Sequence, residues 1–169
     1  STSLVIFDRR LKSKSPEFRH WLRHFPNQMA VTAGENLKSL DAFAKFAHRV
    51  HRNYGDRMAR SWTVIAVGGG SVGDFAGFFA SIYKRGVRLV HIPSTWLAAL
   101  DSSHGGKTAL NLAGAKNQIG TFYESSETWI VRRLLDSQDQ GGSTKRLDDA
   151  MGELAKIALI QGGTWAHRL

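Results

Sequence analysis

Short apolar runs alternate with amphipathic stretches over most of the chain. The apolar runs predict four strands, at Leu4–Phe7, Ala30–Val31, Trp62–Val67 and Leu89–Ile92. Apolar positions three or four residues apart predict helices over Glu17–His24, Leu37–Tyr54 and Ser71–Tyr83. Strands separated by helices pair in parallel through right-handed crossovers. We therefore expect a Rossmann-like, doubly wound, mainly parallel α/β sheet that binds ligands at the carboxyl ends of its strands.

The pattern changes towards the end of the chain. Trp129–Val131 predicts a last short strand, and the polar, Gly-rich stretch Asp136–Lys145 predicts a boundary between domains. We place an α/β domain at residues 1–136 and a linker at 137–146. Helical periodicity over Leu147–Ile160 predicts the first helix of an incomplete α-helical C-terminal domain at residues 147–169.

Composition narrows the possible functions. The chain has no cysteine, so disulfides and thiolate metal ligands are excluded. Because no apolar run approaches the roughly 18 residues of a membrane span, we expect a cytoplasmic protein without membrane contact. The net charge is +9, but the basic residues are scattered through helical stretches. We expect no nucleic-acid binding and favour anionic small molecules as partners.

A glycine-rich turn is the first candidate site. Gly68, Gly70 and Gly73 follow a strand and open a helix, where backbone amides can approach a pyrophosphate. The acidic residue that usually holds the ribose is missing from the end of the next strand, which reads His91-Ile92-Pro93. We expect Asp74 in the first helical turn, either as a cap or as a cofactor contact.

The densest polar stretch runs from Asp101 to Gly120. Its lysines and asparagine lie among glycines, which is typical of an anion cradle, although a solvated loop has a similar composition. Gly105-Gly106-Lys107-Thr108 lacks the upstream glycine of a P-loop, so ATP hydrolysis is excluded. His20 and His24 are four residues apart, but we interpret them as a solvated helix face.

Five linked motifs together resemble the 3-dehydroquinate synthase family. They are Gly68–Asp74, Tyr83–Gly86, Pro93–Thr95, Asp101–Thr108 and Lys116–Gly120. Gly152–Lys156 resembles the first helix of that family's C-terminal domain. Ser71 and His104 depart from the family's usual aliphatic and small apolar residues.

The resemblance implies a role for individual positions. The implied NAD-binding residues are Glu35, Lys38, Gly69, Gly70, Ser71, Asp74, Ser94, Thr95, Lys107 and Lys116. The implied catalytic residues at the substrate are Asp101, Lys107, Asn117, Lys156 and Arg85, the last reaching the substrate phosphate across a homodimer interface. Glu153 matches a metal ligand. From the residue types alone, Arg85 is interpreted as a surface charge, Glu35 as an acid at a helix start and Lys38 as a solvated side chain.

The resemblance also implies a reaction. It is the cyclisation of the anionic sugar phosphate 3-deoxy-arabino-heptulosonate 7-phosphate to 3-dehydroquinate with loss of phosphate, in the shikimate pathway. This lyase uses NAD and a divalent metal, zinc or cobalt. The implied metal site needs two more histidines, but only His167 follows Glu153, so we expect this chain to be inactive alone.

Two other classes of function stay open. One is a related sugar-phosphate cyclase or a glycerol-dehydrogenase-like enzyme, which should differ around Lys107 and Asn117. The other is a non-catalytic NAD-binding or dimerisation module.

Overall fold

Five parallel strands form the central sheet in a computed structural model that describes residues 2–139 and 150–156. The strands are β1 (Ser3–Asp8), β2 (Gln28–Val31), β3 (Thr63–Gly68), β4 (Arg88–Pro93) and β7 (Glu127–Thr128). Their order across the sheet is β2-β1-β3-β4-β7. The predicted parallel α/β sheet is confirmed. Because the chain leaves β1 towards β2 and returns to β3 on the other side, the switch point of the sheet lies between β1 and β3.

Helices cover both faces of this sheet. They are α1 (Leu11–Lys14), α2 (Pro16–Leu22), α3 (Leu40–Tyr54), α4 (Gly70–Ile82) and α5 (Arg132–Asp139), and a further helix, α6, spans residues 150–156. Leu4 and Ile6 of β1 join the core beneath α3 and α4, while Val5 and Phe7 join a second core that includes residues of α2 and α5. A strand buried on both faces carries apolar residues without alternation, which is why these runs were recognisable in the sequence.

Three predicted boundaries are wrong in detail. The last strand of the sheet is Glu127–Thr128 rather than Trp129–Val131, and all three residues of the predicted strand are exposed. The predicted helix from Leu37 is two elements, a 3-10 turn at Glu35–Lys38 and α3 from Leu40, because the Ser39 side chain caps α3 by accepting from the Ala42 N–H. Helix α5 extends to Asp139, into the stretch predicted as polar linker.

The division into domains stays a prediction. The rest of the predicted linker and half of the predicted final helix lie outside the described residues, but residues 150–156 are helical as expected.

A β-hairpin stands where the sequence predicted only a polar stretch. Strands β5 (Lys107–Leu112) and β6 (Ala115–Phe122) pair antiparallel and form a separate two-stranded sheet. The hairpin packs against α4 at Gly77, where a Cβ atom would lie 2.5 Å from the Thr108 Cγ2. The hydroxyl of Thr121 also donates to the Ser81 Oγ of α4 at 2.8 Å. These contacts hold the hairpin against the second half of α4.

Among the described residues, no helix is long and apolar enough to cross a membrane.

Candidate functional site

A cleft of about 310 Å³ lies at the switch point of the sheet, and we call it the switch-point cleft. The loops that follow β1, β2, β3 and β4 all contribute to its lining. Five residues of the predicted cofactor set line it: Gly69, Gly70, Ser71, Ser94 and Thr95. Ligands of doubly wound sheets bind at this position, so the topology and the motifs indicate the same place.

The glycine-rich turn presents a helix N-terminus to this cleft. Gly69 is the N-cap residue of α4, and no side chain caps the helix. The first N–H groups of a helix have no intrahelical acceptor, and the helix dipole favours negative charge there. A Cβ on Gly69 would lie 3.3 Å from the Thr95 side chain, so glycine keeps the turn close to the loop after β4. The turn can therefore receive an anionic group such as a diphosphate.

Of the two roles considered for Asp74, the capping role is wrong. Asp74 is the fifth residue of α4, beyond the first turn, and its carboxylate accepts from the Lys38 Nζ at 2.6 Å. The Lys38 ammonium also donates to the Asn117 Oδ1. Lys38 is only 4% exposed, which excludes the solvated side chain considered above. One buried ammonium thus joins the turn after β2, helix α4 and the hairpin.

Burial and pairing set the charges around Lys38. Burial raises the pKa of Asp74 above its ordinary value, and the hydrogen bond and charge of Lys38 partly oppose this rise. Glu35 behaves differently, because a hydrogen bond from Asn111 lowers the pKa of its carboxyl, with smaller help from the charges of Lys116 and Lys38. Glu35 is therefore an ionised carboxylate at neutral pH.

A second cavity, of about 530 Å³, lies between α4 and the hairpin, and we call it the hairpin pocket. Four of the five predicted catalytic residues line it: Asp101, Lys107, Asn117 and Lys156. Asp101 comes from a π-helical turn at Ala98–Ser102, a rare conformation that is frequent at functional sites. Asp74 lines the same pocket, so the network around Lys38 connects it with the first turns of α4.

Five predicted site residues lie outside the linings of these two cavities: Glu35 and Lys38, described above, and Arg85, Lys116 and Glu153. Arg85 is exposed in a 3-10 turn and has a left-handed backbone with φ of 67°. Lys116 is exposed on β6, close enough to Glu35 for its charge to lower the pKa of that carboxyl. Glu153 on α6 forms an ion pair with Lys156, three residues further on.

The metal-ligand role implied for Glu153 stays a prediction. No group of three or more His, Asp or Glu side chains among residues 2–139 and 150–156 could hold a metal ion. His167 lies outside the described residues.

Two site residues were missed in the sequence. Asp8 is 4% exposed at the end of β1, lines the switch-point cleft and accepts from the backbone N–H and the guanidinium of Arg10. Its place at the carboxyl end of a strand next to the switch point was the available signal. Asn111 bonds both Glu35 and Asn117, and no sequence signal distinguished it from other polar residues of the hairpin.

The comparison with known proteins decides the family. Residues 28–144 match the family model described as 3-dehydroquinate synthase N-terminal. The chain belongs to the 3-dehydroquinate synthase family. It is 38% identical over 149 residues to the 3-dehydroquinate synthase of Alkaliphilus oremlandii, and 40% identical over 141 residues to that of Enterococcus faecalis strain V583. These alignments cover 88% and 83% of this chain, but only 37% of each relative.

A solved structure gives the same result for the fold. Crystalline 2-deoxy-scyllo-inosose synthase, in complex with carbaglucose-6-phosphate, NAD+ and Co2+, matches with a TM-score of 0.75 at 27% identity. The match covers 91% of this chain and 42% of that one. The chain thus corresponds to less than half of the relatives, and the predicted membership of the 3-dehydroquinate synthase family is confirmed.

Proposed function

We propose that this chain is the NAD-binding half of a 3-dehydroquinate synthase. In the whole protein, 3-deoxy-arabino-heptulosonate 7-phosphate would be cyclised to 3-dehydroquinate with loss of phosphate. The observation that carries the proposal is the convergence of Asp101, Lys107, Asn117 and Lys156 on the hairpin pocket, joined through Asp74 and Lys38 to the helix that begins at the switch-point cleft.

The switch-point cleft suits NAD. The N-terminus of α4 would receive the diphosphate, and Ser94 and Thr95 would add hydroxyl donors from the opposite wall. Asp8 lines the cleft and Glu35 is exposed on the turn after β2, so their carboxylates would accept from the ribose hydroxyls. NAD held there would supply the hydride acceptor and donor for the oxidation and re-reduction of a carbinol carbon of the substrate.

The hairpin pocket suits an anionic substrate. Lys107 and Lys156 bring two ammonium groups, which neutralise phosphate or carboxylate. The Asn117 Oδ1 is occupied by Lys38, which leaves the side-chain N–H groups of Asn117 to donate to a ligand. The carboxylate of Asp101 would accept a hydrogen bond from a hydroxyl of the substrate and so orient that hydroxyl.

The similarity to a solved sugar-phosphate cyclase supports a second candidate substrate. That protein is a 2-deoxy-scyllo-inosose synthase crystallised with a carbaglucose phosphate, so a related sugar-phosphate cyclase is the alternative. The sequence Gly105-Gly106-Lys107-Thr108 favours the 3-dehydroquinate synthase branch. Titrating the NAD-loaded chain with the heptulosonate phosphate and with sedoheptulose 7-phosphate distinguishes the two, because the carboxylate of the first should strengthen its binding.

The metal site and the dimer belong to the proposal as expectations for the whole protein. Glu153 is engaged by Lys156, and the described residues contain no group of three or more metal-ligating side chains, so we assign no step to a metal here. Arg85 is exposed in this single chain. A residue that reaches across a homodimer interface must be exposed before the dimer forms, so this agrees with the proposed role.

Calorimetric titration with NAD tests the cofactor half of the proposal. The wild-type chain should bind NAD saturably, and Asp74→Ala and Lys116→Ala should each weaken or abolish that binding. Asp56→Ala and Arg52→Ala are charge-matched controls, because both residues are exposed near the far end of α3. Loss of binding in the controls as well, or equal binding by all variants, would contradict the assignment.

A further inference from the structure

Asn111 forms hydrogen bonds to both sets of predicted site residues. It lies on β5, and its backbone forms an isolated parallel bridge with Ser39, next to Lys38. Its Nδ2 donates to the Glu35 Oε2 at 3.0 Å, and its Oδ1 accepts from the Asn117 N–H at 3.0 Å. A carboxylate requires a donor and an N–H requires an acceptor, so these two partners fix the orientation of the amide.

We propose that Asn111 is a positioning residue that orients the Glu35 carboxylate and holds Asn117 in its left-handed conformation. This inference rests on the proposed function, because Glu35 belongs to the NAD-binding set and Asn117 to the substrate set. One side chain then fixes the relative position of cofactor and substrate groups that come from different elements.

The backbone of Asn117 has a left-handed conformation that depends on hydrogen bonds from its neighbours. Its φ is +56°, a conformation that asparagine tolerates better than most residues but that still carries strain. The contact from Asn111 to its N–H and the contact from Lys38 to its Oδ1 hold the residue on both sides. Without Asn111, the Asn117 N–H loses that acceptor, and the backbone can relax away from Lys38.

The hydrogen bond from Asn111 fixes the conformation of the Glu35 side chain. That side chain is exposed at the start of a 3-10 turn, where the free rotamers of a glutamate would otherwise be populated. The bond from Asn111 holds one carboxylate oxygen and leaves the other for a ribose hydroxyl. Asn111 should therefore contribute to NAD affinity without touching NAD.

The test uses the full chain with Asn111→Ala, Asn111→Asp and Asn53→Ala, the last being exposed near the far end of α3. We expect Asn111→Ala to weaken NAD binding by about five- to tenfold, the effect of one lost hydrogen bond at an exposed position. Amide hydrogen exchange at Asn117 should accelerate by at least about fivefold in the same variant. Asn53→Ala should change neither quantity.

Asn111→Asp separates the two contacts. It keeps an oxygen for the Asn117 N–H, so exchange at Asn117 should stay slow. It also sets a second carboxylate against Glu35, so NAD binding should weaken at pH 7. Towards pH 5, a proton shared by the two carboxyl groups restores the missing donor, and binding should recover relative to the wild type. Simple damage to the fold does not produce this pH profile.

The results distinguish this inference from the proposed function. If the wild type binds NAD and Asn111→Ala matches it within twofold with unchanged exchange at Asn117, the positioning role is wrong and the proposed function stands. If Asn111→Asp follows the wild-type pH profile in parallel, the Glu35 contact has no positioning role. If the wild type binds no NAD, the cofactor proposal fails for this chain, and unchanged exchange at Asn117 in Asn111→Ala still overturns the inference.

Discussion

Acidification should destabilise this protein through His91. The residue lies on β4, is 7% exposed and has its ring beside Gly73, where a Cβ would lie 3.5 Å from the His91 Cε1. Burial, with a smaller contribution from the charge of His104, lowers the pKa of His91 from 6.5 to about 4. The folded protein therefore keeps this imidazole neutral where an unfolded chain would protonate it.

The sign of the effect follows from proton binding. Between pH 6.5 and 4 the unfolded state binds the proton and the folded state does not, so the stability falls as the pH falls through this window. The full difference between the two pKa values corresponds to about 3 kcal/mol, which is reached below pH 4. At pH 5 the expected loss relative to pH 7 is about 2 kcal/mol.

Urea unfolding at pH 7, 6 and 5 measures this loss. Carboxylates titrate in the same range, so the informative quantity is the difference between the wild type and His91→Gln, in which their contribution cancels. The wild type should lose about 2 kcal/mol more than the variant between pH 7 and 5. His48→Gln, at an exposed position of α3, is the control and should follow the wild type. Parallel pH profiles of the wild type and His91→Gln would refute the reasoning.

Three further substitutions test the packing around the site. Lys38→Met leaves the Asp74 carboxylate without its cation, so the pKa of Asp74 should rise further and urea unfolding should show a loss of about 2 kcal/mol, which Asp74→Asn in the same chain partly restores. Gly77→Ala should destabilise by about 1–3 kcal/mol because the new Cβ meets the Thr108 Cγ2; adding Thr108→Ser removes that methyl but keeps the hydroxyl, and failure of this rescue would contradict the steric explanation. Ser39→Ala removes the N-cap of α3 and should lower the thermal unfolding midpoint by an amount equivalent to about 1 kcal/mol, whereas Ser13→Ala, at an exposed position, should not.

The agreement between sequence and structure is greatest where burial is complete. The β1, β3 and β4 strands have residues of both faces in the core, so their apolar runs were visible without knowledge of the partners. Glycines ended the run of β3 and a proline ended that of β4, at positions that the structure confirms within one or two residues. The family could also be recognised, because five motifs occurred in the expected order and four of them contain glycine or charged residues that a core does not require.

The hairpin could not be predicted in the same way. Its β5 strand buries Thr108 and Leu110 on one face, but β6 is almost entirely exposed, so no apolar alternation marks it. The hairpin is stabilised by packing against α4, where the missing Cβ of Gly77 leaves room for Thr108. The hydroxyl groups of Thr108 and Thr121 add hydrogen bonds. These are contacts between distant parts of the chain, and a local pattern does not record them.

The sequence by itself determined the class of fold, the glycine-rich turn and the family. These depend on hydrophobic periodicity and on residue types whose chemistry is local. Only the tertiary structure decided that Lys38 is buried between Asp74 and Asn117, that Asp8 lies in the switch-point cleft, and that Asn111 joins Glu35 to Asn117. The physical reason is that a lysine, an aspartate or an asparagine in a polar stretch has the same local appearance whether it is solvated or buried. Its environment is set by residues up to 79 positions away, as for Lys38 and Asn117.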